Sequence, residues 1–287
     1  MSIAPAVIDW FARNGRDLPW RRPGFTAWGT LVSEFMLQQT PVNRVLPKLA
    51  EWLDRWPTPA DLAAASPGDA VRAWASLGYP RRALNLHAAA VAITERHGGR
   101  VPDDVPSLLA LPGIGDYTAR AVAVFAYGHR HPVVDINIRR VLARAVHGVA
   151  EPSAAAKRDL ADMEAVLPES VADARLANAG IMELGALVCT ARSPKCGECP
   201  IAAECRWRLA GYPAFTGTRA PVQKKFAGSD RQVRGLIMAE LRASDIPVTP
   251  GEIALVWAAD EQRERALAGL IADGLVVPSG DAFELPG

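Results

Sequence analysis

The sequence lacks long apolar runs and lacks the features of an export signal. No segment of the 287 residues approaches the ~18 consecutive apolar residues that a membrane-spanning helix needs. The first residues, MSIAPAVIDWF, contain no basic segment and reach Asp9 early. These absences argue against a membrane protein and a secretory signal, and they predict a cytoplasmic protein with no membrane partner.

The alternating pattern of β-strands is also scarce before residue 270, and no internal repeat is visible. Apolar residues instead recur at the spacing that is typical of helices. The segment AWGTLVSEFMLQQ puts four apolar side chains on one helical stripe, namely Trp28, Leu31, Val32 and Phe35. Three helix starts combine an N-cap, a proline and an acid, at Thr58, Ser66 and Thr249. The sequence therefore predicts a mostly α fold, nearly all helical over its first 225 residues.

Charge is unevenly divided although the formal net charge is only +1. Residues 1–225 carry 27 Lys and Arg against 21 Asp and Glu, whereas residues 226–287 carry 5 against 10. An anionic partner would prefer the first part of the chain. Ordinary surface scatter explains the same numbers equally well.

The last quarter of the chain has the composition of a linker followed by a small folded module. Residues 211–229 are rich in Gly, Pro and Thr and predict a linker. Helices are expected near 230–243, 250–257 and 260–273, and the closing LVVPSGDAFELPG predicts two short strands around a Ser-Gly-Asp turn. Residues 230–287 therefore predict a small winged-helix-like α/β module. Since it is acidic, a partner or lid role is at least as plausible as reading DNA.

Cysteine is scarce, and all of it lies in CTARSPKCGECPIAAEC. The four thiols follow the spacing C-x6-C-x2-C-x5-C, at Cys189, Cys196, Cys199 and Cys205. In a cytoplasmic chain this density indicates a metal centre rather than disulfides. Zinc held by four thiolates is the simple alternative, but only one short knuckle is present, which favours a [4Fe–4S] cluster. Arg192 and Lys195 in the same loop are placed to contact phosphate.

Three further segments carry candidate functional residues. In LPGIGDYTARA, Gly113 and Gly115 permit a tight bend whose exposed N–H groups at a helix start would hold a DNA phosphate, although a plain helix–helix turn also fits. SEFMLQQT contains Glu34, and PVVDINIRRVLAR contains Asp135. Taken singly, Glu34 is most simply a solvated helix acid and Asp135 a helix cap.

Together these segments resemble the adenine DNA glycosylases of the MutY type, in the helix-hairpin-helix base-excision superfamily. LPWR, LGYPRRALNLH and MELGALVCT also match, so the resemblance covers roughly residues 6–215. MLQQT is the most discriminating segment, because sister branches such as endonuclease III do not share it.

The resemblance implies a two-domain helix-hairpin-helix DNA glycosylase fold with an iron–sulfur cluster loop. One domain would comprise residues 1–22 and 130–210 and hold the cluster. The other, residues 23–129, would be a six-helix barrel containing the hairpin.

The resemblance also implies a mechanism. Glu34 would protonate N7 of adenine as general acid, and Asp135 would stabilise the sugar cation through a transient covalent bond. Asn137 would orient Asp135, and Tyr117 would border the same pocket. Tyr117 stands where bifunctional relatives have a lysine nucleophile, so base removal without strong strand cleavage is expected.

The DNA contacts implied by the resemblance fall into two groups. The residues that would enter or border the opened duplex are Gln39, Thr40, Leu77 and Tyr79. Those that would line the adenine pocket are Trp20, Arg21, Leu37 and Glu183. Pro80 departs from the tyrosine common after LGY. The implied partner is duplex DNA with adenine opposite 8-oxoguanine or guanine, bound by a monomer at the nucleoid.

The main departure lies after the linker, where only about 60 residues replace the larger Nudix-like domain of many family members. A weaker preference for 8-oxoguanine over guanine is therefore expected. Two alternatives stay open, a mismatch thymine glycosylase and a non-catalytic iron–sulfur protein that binds DNA structures. No protein partner can be named from the sequence.

Overall fold

The structure, a computed structural model, describes residues 3–154, 157–217 and 225–287. It is mostly helical with a small C-terminal hairpin, as predicted. The helices run in the order α1 Ala4–Asn14, α2 Ala27–Leu37, α3 Val42–Arg55, α4 Pro59–Ala63, α5 Pro67–Trp74, α6 Arg81–His97, α7 Val105–Leu109, α8 Asp116–Phe125, α9 Ile136–Ala145, α10 Arg158–Glu164, α11 Val171–Leu187, α12 Arg206–Leu209, α13 Asp230–Ala243, α14 Pro250–Leu255 and α15 Asp260–Ala272. Short 3-10 turns occur at Pro19–Arg21 and Cys196–Glu198.

Side-chain caps start the helices where the sequence predicts them. Thr58 and Thr249 each form a capping box with the acid three residues later, at the starts of α4 and α14. The Ser66 hydroxyl accepts the Asp69 N–H at the start of α5. Each cap satisfies an N–H group that the helix itself leaves without a partner.

The chain divides into two compact units. The first comprises residues 1–30, 103–109 and 114–220. Its core is formed by side chains of α1, α9 and α11 that are almost completely buried, including Val7, Ile138, Leu142, Ile181 and Leu184. In this unit α11 passes very close to the start of α9, because a Cβ at Gly185 would lie 2.7 Å from the Cβ of Asn137.

The second unit comprises residues 31–102, 110–113 and 221–287. The predicted stripe of α2 is buried, with Leu31 and Phe35 inaccessible to solvent. The Trp52 ring lies edge-on to Trp74, with centroids 5.7 Å apart. Burial of large side chains such as these supplies most of the favourable free energy of a helical core.

The C-terminal segment folds as predicted and belongs to this second unit. Helices α13, α14 and α15 are followed by the antiparallel strands β1 Val277–Ser279 and β2 Ala282–Glu284. The turn between the strands contains Gly280 and Asp281, and Val248 adds an isolated bridge to Phe283. We call residues 230–287 the C-terminal module.

The predicted domain boundaries stay a prediction. The centre of the predicted linker, residues 218–224, lies outside the described residues. Among the residues that the structure does describe, no helix has the length and apolar character needed to cross a membrane.

Candidate active site

Asp135 is the N-cap of α9, and its carboxylate is held at both oxygens. Its Oδ1 accepts the Ile138 N–H at 2.7 Å, and its Oδ2 accepts the Asn137 side-chain amide at 2.7 Å. Burial raises the pKa of Asp135, and the two hydrogen bonds offset only part of that rise. The sequence left two interpretations of Asp135 open, a helix cap and a functional acid. The structure shows that Asp135 is a helix cap, and this role leaves its carboxylate fixed in place.

Asn137 is itself fixed by Arg140, which lies one turn further along α9. The Arg140 Nη2 donates to Asn137 Oδ1 at 2.8 Å and to the Gly185 carbonyl at 2.6 Å. Its Nε donates to the Cys189 carbonyl at 2.7 Å. A continuous chain of hydrogen bonds thus runs from Asp135 to the backbone of the first cysteine.

The predicted adenine-pocket residue Glu183 is 1% exposed and paired with two arginines. Arg16 donates to both of its oxygens, at 2.8 and 2.7 Å, and Arg21 donates at 3.2 and 2.9 Å. Burial alone would raise the pKa of Glu183, but the hydrogen bonds from Arg16 and Arg21 outweigh it and lower the pKa to about 2. Glu183 is thus a carboxylate at neutral pH. Trp20 lies half-buried in the 3-10 turn that contains Arg21.

Tyr117 lies in the first turn of α8, half-buried against Ala121, Val124 and Val133. Of the two hairpin glycines, Gly113 has φ +74°, and a Cβ there would lie 2.6 Å from Asn85 Cβ. Gly115 has φ −99°, and an added Cβ would meet nothing within 4 Å. The expectation that both glycines are needed for the bend is therefore wrong for Gly115, which instead leaves the start of α8 uncovered.

Glu34 lies in α2, in the second compact unit. Only 6% of it is exposed, so the interpretation as a solvated helix acid is wrong. Glu34 and Asp135 belong to different units. Their convergence on one base stays a prediction. Leu37, the remaining adenine-pocket candidate, is half-buried at the end of α2.

Arg82 joins the two segments that the resemblance placed in DNA. Its guanidinium donates to the Phe35 and Met36 carbonyls at 2.9 and 3.0 Å, to Thr40 Oγ1 at 3.0 Å and to the Gly78 carbonyl at 2.9 Å. Burial lowers the pKa of Arg82 to about 10, so it remains charged at neutral pH. Sequence reasoning missed this residue, although it stands in the matched segment LGYPRR.

The two segments that Arg82 joins have strained backbones. Gln39 has φ 55° and Tyr79 has φ 47°, in the left-handed region that ordinary residues seldom adopt. Tyr79 is 46% exposed, whereas Leu77 is buried and its carbonyl accepts the Thr40 hydroxyl at 3.3 Å. The structure thus brings four predicted DNA-contact residues together, namely Gln39, Thr40, Leu77 and Tyr79.

The four cysteines line one cavity in the first unit, together with apolar side chains including Val141, Leu184 and Ile201. Within the described residues, no three His, Cys, Asp or Glu side chains lie close enough to hold a single metal ion. Four thiols spread around a shared apolar cavity fit a four-iron cluster better than tetrahedral zinc. The donor set therefore fits a [4Fe–4S] cluster.

The thiols would lose their protons when the cluster binds. Burial raises the pKa of Cys189 and raises that of Cys199 to about 11. Iron ligation must supply the free energy that deprotonates them. Arg144 supports the site by donating to Cys189 Sγ at 3.4 Å and to the Thr190 carbonyl at 2.7 Å, while lying 4.7 Å from the Trp207 ring centre.

The basic side chains of the cysteine loop are exposed. Arg192 and Lys195 both face solvent, and Lys195 Nζ lies 3.7 Å from Glu198. The acid neutralises part of the charge of Lys195. Arg192 is therefore the stronger candidate for contact with a phosphate.

Comparisons with known proteins agree with this arrangement. The family model described as HhH-GPD superfamily base excision DNA repair protein matches residues 32–164. The model described as the iron–sulfur binding domain of endonuclease III matches residues 189–205, which start and end at the outer cysteines. The second match confirms the predicted [4Fe–4S] cluster.

Solved structures and curated proteins give the same result. A thermostable thymine-DNA glycosylase has a TM-score of 0.67 at 26% identity, over 72% of this chain and 95% of its own. Human adenine DNA glycosylase is 38% identical over 71% of this chain and 39% of its own length. The adenine DNA glycosylase of Mycolicibacterium smegmatis is 54% identical over 100% of this chain and 97% of its own length, and that of Mycobacterium tuberculosis is 52% identical over 98% and 92%. With such similarity along its whole length, the chain belongs to the adenine DNA glycosylase family, the hydrolases that act in base excision DNA repair.

Proposed function

We propose that this chain hydrolyses the N-glycosidic bond of adenine opposite 8-oxoguanine or guanine in duplex DNA, without cleaving the strand. The observation that carries the proposal is the buried carboxylate of Asp135, held by Asn137 and the α9 backbone. A fixed, ionised carboxylate is what a positively charged sugar requires beside it as the base departs.

Two acidic side chains act on different parts of the substrate, one on the base and one on the sugar. Glu34 donates a proton to N7 of adenine, so that the base leaves as a neutral molecule. Asp135 stabilises the resulting oxocarbenium ion and forms a transient covalent bond with C1′ until water replaces it. Asn137 keeps the Asp135 oxygens in place because its own carbonyl is held by Arg140. Cys189, Cys196, Cys199 and Cys205 would hold the [4Fe–4S] cluster, which would cross-link residues 189–205 covalently.

The proposed DNA contacts fall into three groups, according to the part of the DNA that each would touch. Tyr79 and Gln39 enter the space that the extruded base vacates, with Thr40 and Leu77 beside the opposite base. Gly113 and Gly115, with Arg192 and Lys195, hold the phosphate backbone. Trp20, Arg21, Leu37 and Glu183 enclose adenine. We place this activity on chromosomal DNA in the cytoplasm and assign it to a monomer.

Excision under single turnover tests the proposal. Duplexes with A opposite 8-oxoguanine, A opposite G and T opposite G are compared for the wild type and for Glu34→Gln and Asp135→Asn. Each variant should lose excision by at least about 100-fold, since Glu34→Gln removes the general acid and Asp135→Asn removes the charge that stabilises the sugar cation. Glu51→Gln, which changes an exposed acid of α3 paired with Lys48, is the matched control and should behave as wild type.

The substrate comparison decides among the alternatives. Faster excision of adenine opposite 8-oxoguanine than opposite guanine supports the proposal, and equal rates would remove the 8-oxoguanine preference. Preferred excision of thymine would instead identify a thymine glycosylase. Binding without excision of any base would identify a non-catalytic DNA-structure binder.

The absence of strand cleavage has its own test, which depends on Tyr117. A tyrosine cannot form an imine with the sugar aldehyde, so borohydride should trap little protein on DNA. Tyr117→Lys places an amine at this position and should raise the trapped fraction. A high trapped yield with the wild type would overturn the assignment.

A further inference from the structure

The C-terminal module contacts both helices that flank the turn bearing Tyr79. That turn, residues 75–80, joins α5 to α6. On the α5 side, Arg72 Nη1 donates to the Arg242 and Ser244 carbonyls at 2.9 and 2.7 Å. On the α6 side, Arg81 Nη1 lies 3.2 Å from Asp273 Oδ1.

Arg72, which lies in α5, also caps the C-terminal end of α13 in the module. Helix α13 ends at Ala243, and the last carbonyls of a helix have no partners within it. Arg72 donates to the carbonyls of Leu241 and Arg242 in that last turn and to Ser244 beyond it. A guanidinium at a helix C-terminus is also favoured by the helix dipole.

A second contact requires a residue without a side chain. The Gly68 N–H, in the first turn of α5, donates to the Pro286 carbonyl at 2.7 Å. A Cβ at this position would lie 2.6 Å from the same oxygen and 3.1 Å from Leu285 Cβ. Any side chain at position 68 must therefore push the end of the module away from α5.

The charges of the module favour docking over reading DNA. Three of its five arginines are paired with its own acids: Arg234 with Asp273, Arg263 with Asp260 and Arg265 with Asp230. Arg242 has its pKa lowered by burial. A groove-reading helix needs basic side chains available for phosphates, whereas α15 begins with Asp260 and Glu261.

We propose that the C-terminal module positions the Tyr79 turn for entry into DNA, with Arg72 and Gly68 as the positioning residues. The proposal rests on the assigned role of Tyr79. The strained turn is held from within by Arg82 and Trp74, whose Nε1 donates to the Gly78 carbonyl at 3.0 Å. The module fixes the helices on either side, so that strain at Tyr79 is not released by their movement.

The test uses the full chain with its cluster and a duplex that has 2-aminopurine beside adenine opposite 8-oxoguanine. The fluorescence rise reports unstacking, and Asp135→Asn in every protein prevents excision during this measurement. Arg72→Met should reduce the equilibrium constant for unstacking about tenfold, the effect of losing about one charged hydrogen bond. Arg72→Lys retains a hydrogen-bond donor and should restore part of the equilibrium constant for unstacking. Gly68→Ala disturbs the contact with Pro286 and should reduce the equilibrium constant as Arg72→Met does.

Arg265→Met is the matched control, because it removes an exposed arginine of the module that pairs with Asp230. It should unstack DNA as the wild type does. Wild-type unstacking by both Arg72→Met and Gly68→Ala would overturn the proposal. A loss of DNA affinity in Arg265→Met equal to that in Arg72→Met would also overturn it and identify the module as a DNA-binding surface.

The proposed function is tested separately, by excision with proteins that retain Asp135. Failure of the wild type to excise adenine would remove that function, while the unstacking signal would still decide the role of the module. Adenine excision by the wild type with unaffected unstacking in the variants would remove only the positioning role.

Discussion

Asn137 uses both ends of its side-chain amide, and its orientation is therefore determined. The nitrogen donates to Asp135 and the oxygen accepts from Arg140. An amide held in this way can lower the pKa of a neighbouring carboxylate without changing the charge of the site. It offsets part of the rise that burial causes at Asp135.

Replacing Asn137 by Ala should shift the pH dependence of excision. In the proposed mechanism Asp135 acts as a carboxylate, so the excision rate should fall as the pH drops through the pKa of Asp135. Losing the amide donor disfavours the charged form and raises the pKa of Asp135. The acidic limb of the pH–rate profile should therefore move to higher pH, measured as the single-turnover rate against pH.

Arg139→Met is the control for this shift. Arg139 lies on the same helix but pairs with Asp159 at 2.7 Å, so the contacts of Asp135 stay intact. Its acidic limb should coincide with that of the wild type. An unmoved limb in Asn137→Ala would show that the amide does not set the protonation of Asp135.

The sequence marks some residues of the candidate site and leaves others unmarked. Glu34 and Asp135 carry a recognisable context of neighbours, and the spacing of the cysteines indicates their chemistry. Arg16 has no such signal, and the matched segment that contains Arg82 does not reveal its contacts. Arg16 pairs with an acid 167 positions away, and Arg82 mostly contacts backbone carbonyls, which no sequence pattern displays.

At the level of helices, the approach of α11 to α9 determines where Asp135 lies. Gly185 permits that approach, since its missing side chain leaves room for Asn137. The same approach allows Arg140 to reach the Gly185 carbonyl. The position of Asp135 is therefore set by two helices and not by α9 alone.

Gly185→Ala should slow excision by at least about tenfold, because relieving an overpacked contact of ~1–3 kcal/mol moves the start of α9. The variant should still bind its cluster, measured by visible absorbance, since the four cysteines are unchanged. Gly235→Ala in α13 is the control, because a Cβ there meets nothing within 4 Å. Wild-type excision by Gly185→Ala would show that the α9–α11 distance does not position Asp135.

Helix starts and the terminal hairpin were predictable because local chemistry dictates them. Thr58, Ser66 and Thr249 each act on an N–H only three residues away. The left-handed conformations of Gln39 and Tyr79 were not predictable, since neither residue favours them. Long-range contacts through Arg82 hold these conformations, and local preference has no part in them.

Over the whole molecule, the basic excess of residues 1–225 should dominate the encounter with DNA. The double change Arg192→Ala and Lys195→Ala should reduce the slope of log affinity against log salt by about one to two. Lys195 should contribute less, because Glu198 lies 3.7 Å from it. Binding titrations at several salt concentrations measure the slope, and an unchanged slope would exclude this loop from the phosphate contacts.

The contact between Arg72 and Ser244 spans 172 positions of the chain. A ribosome makes α5 long before it makes the end of α13, and emerging domains begin to fold during synthesis. Until then the hydrogen bonds from Arg72 to Arg242 and Ser244 cannot form. With the proposed positioning role, the Tyr79 turn gains its final support only late in biosynthesis, and a premature stop codon between residues 206 and 243 would produce a chain with all four cysteines but without the contact between Ser244 and Arg72.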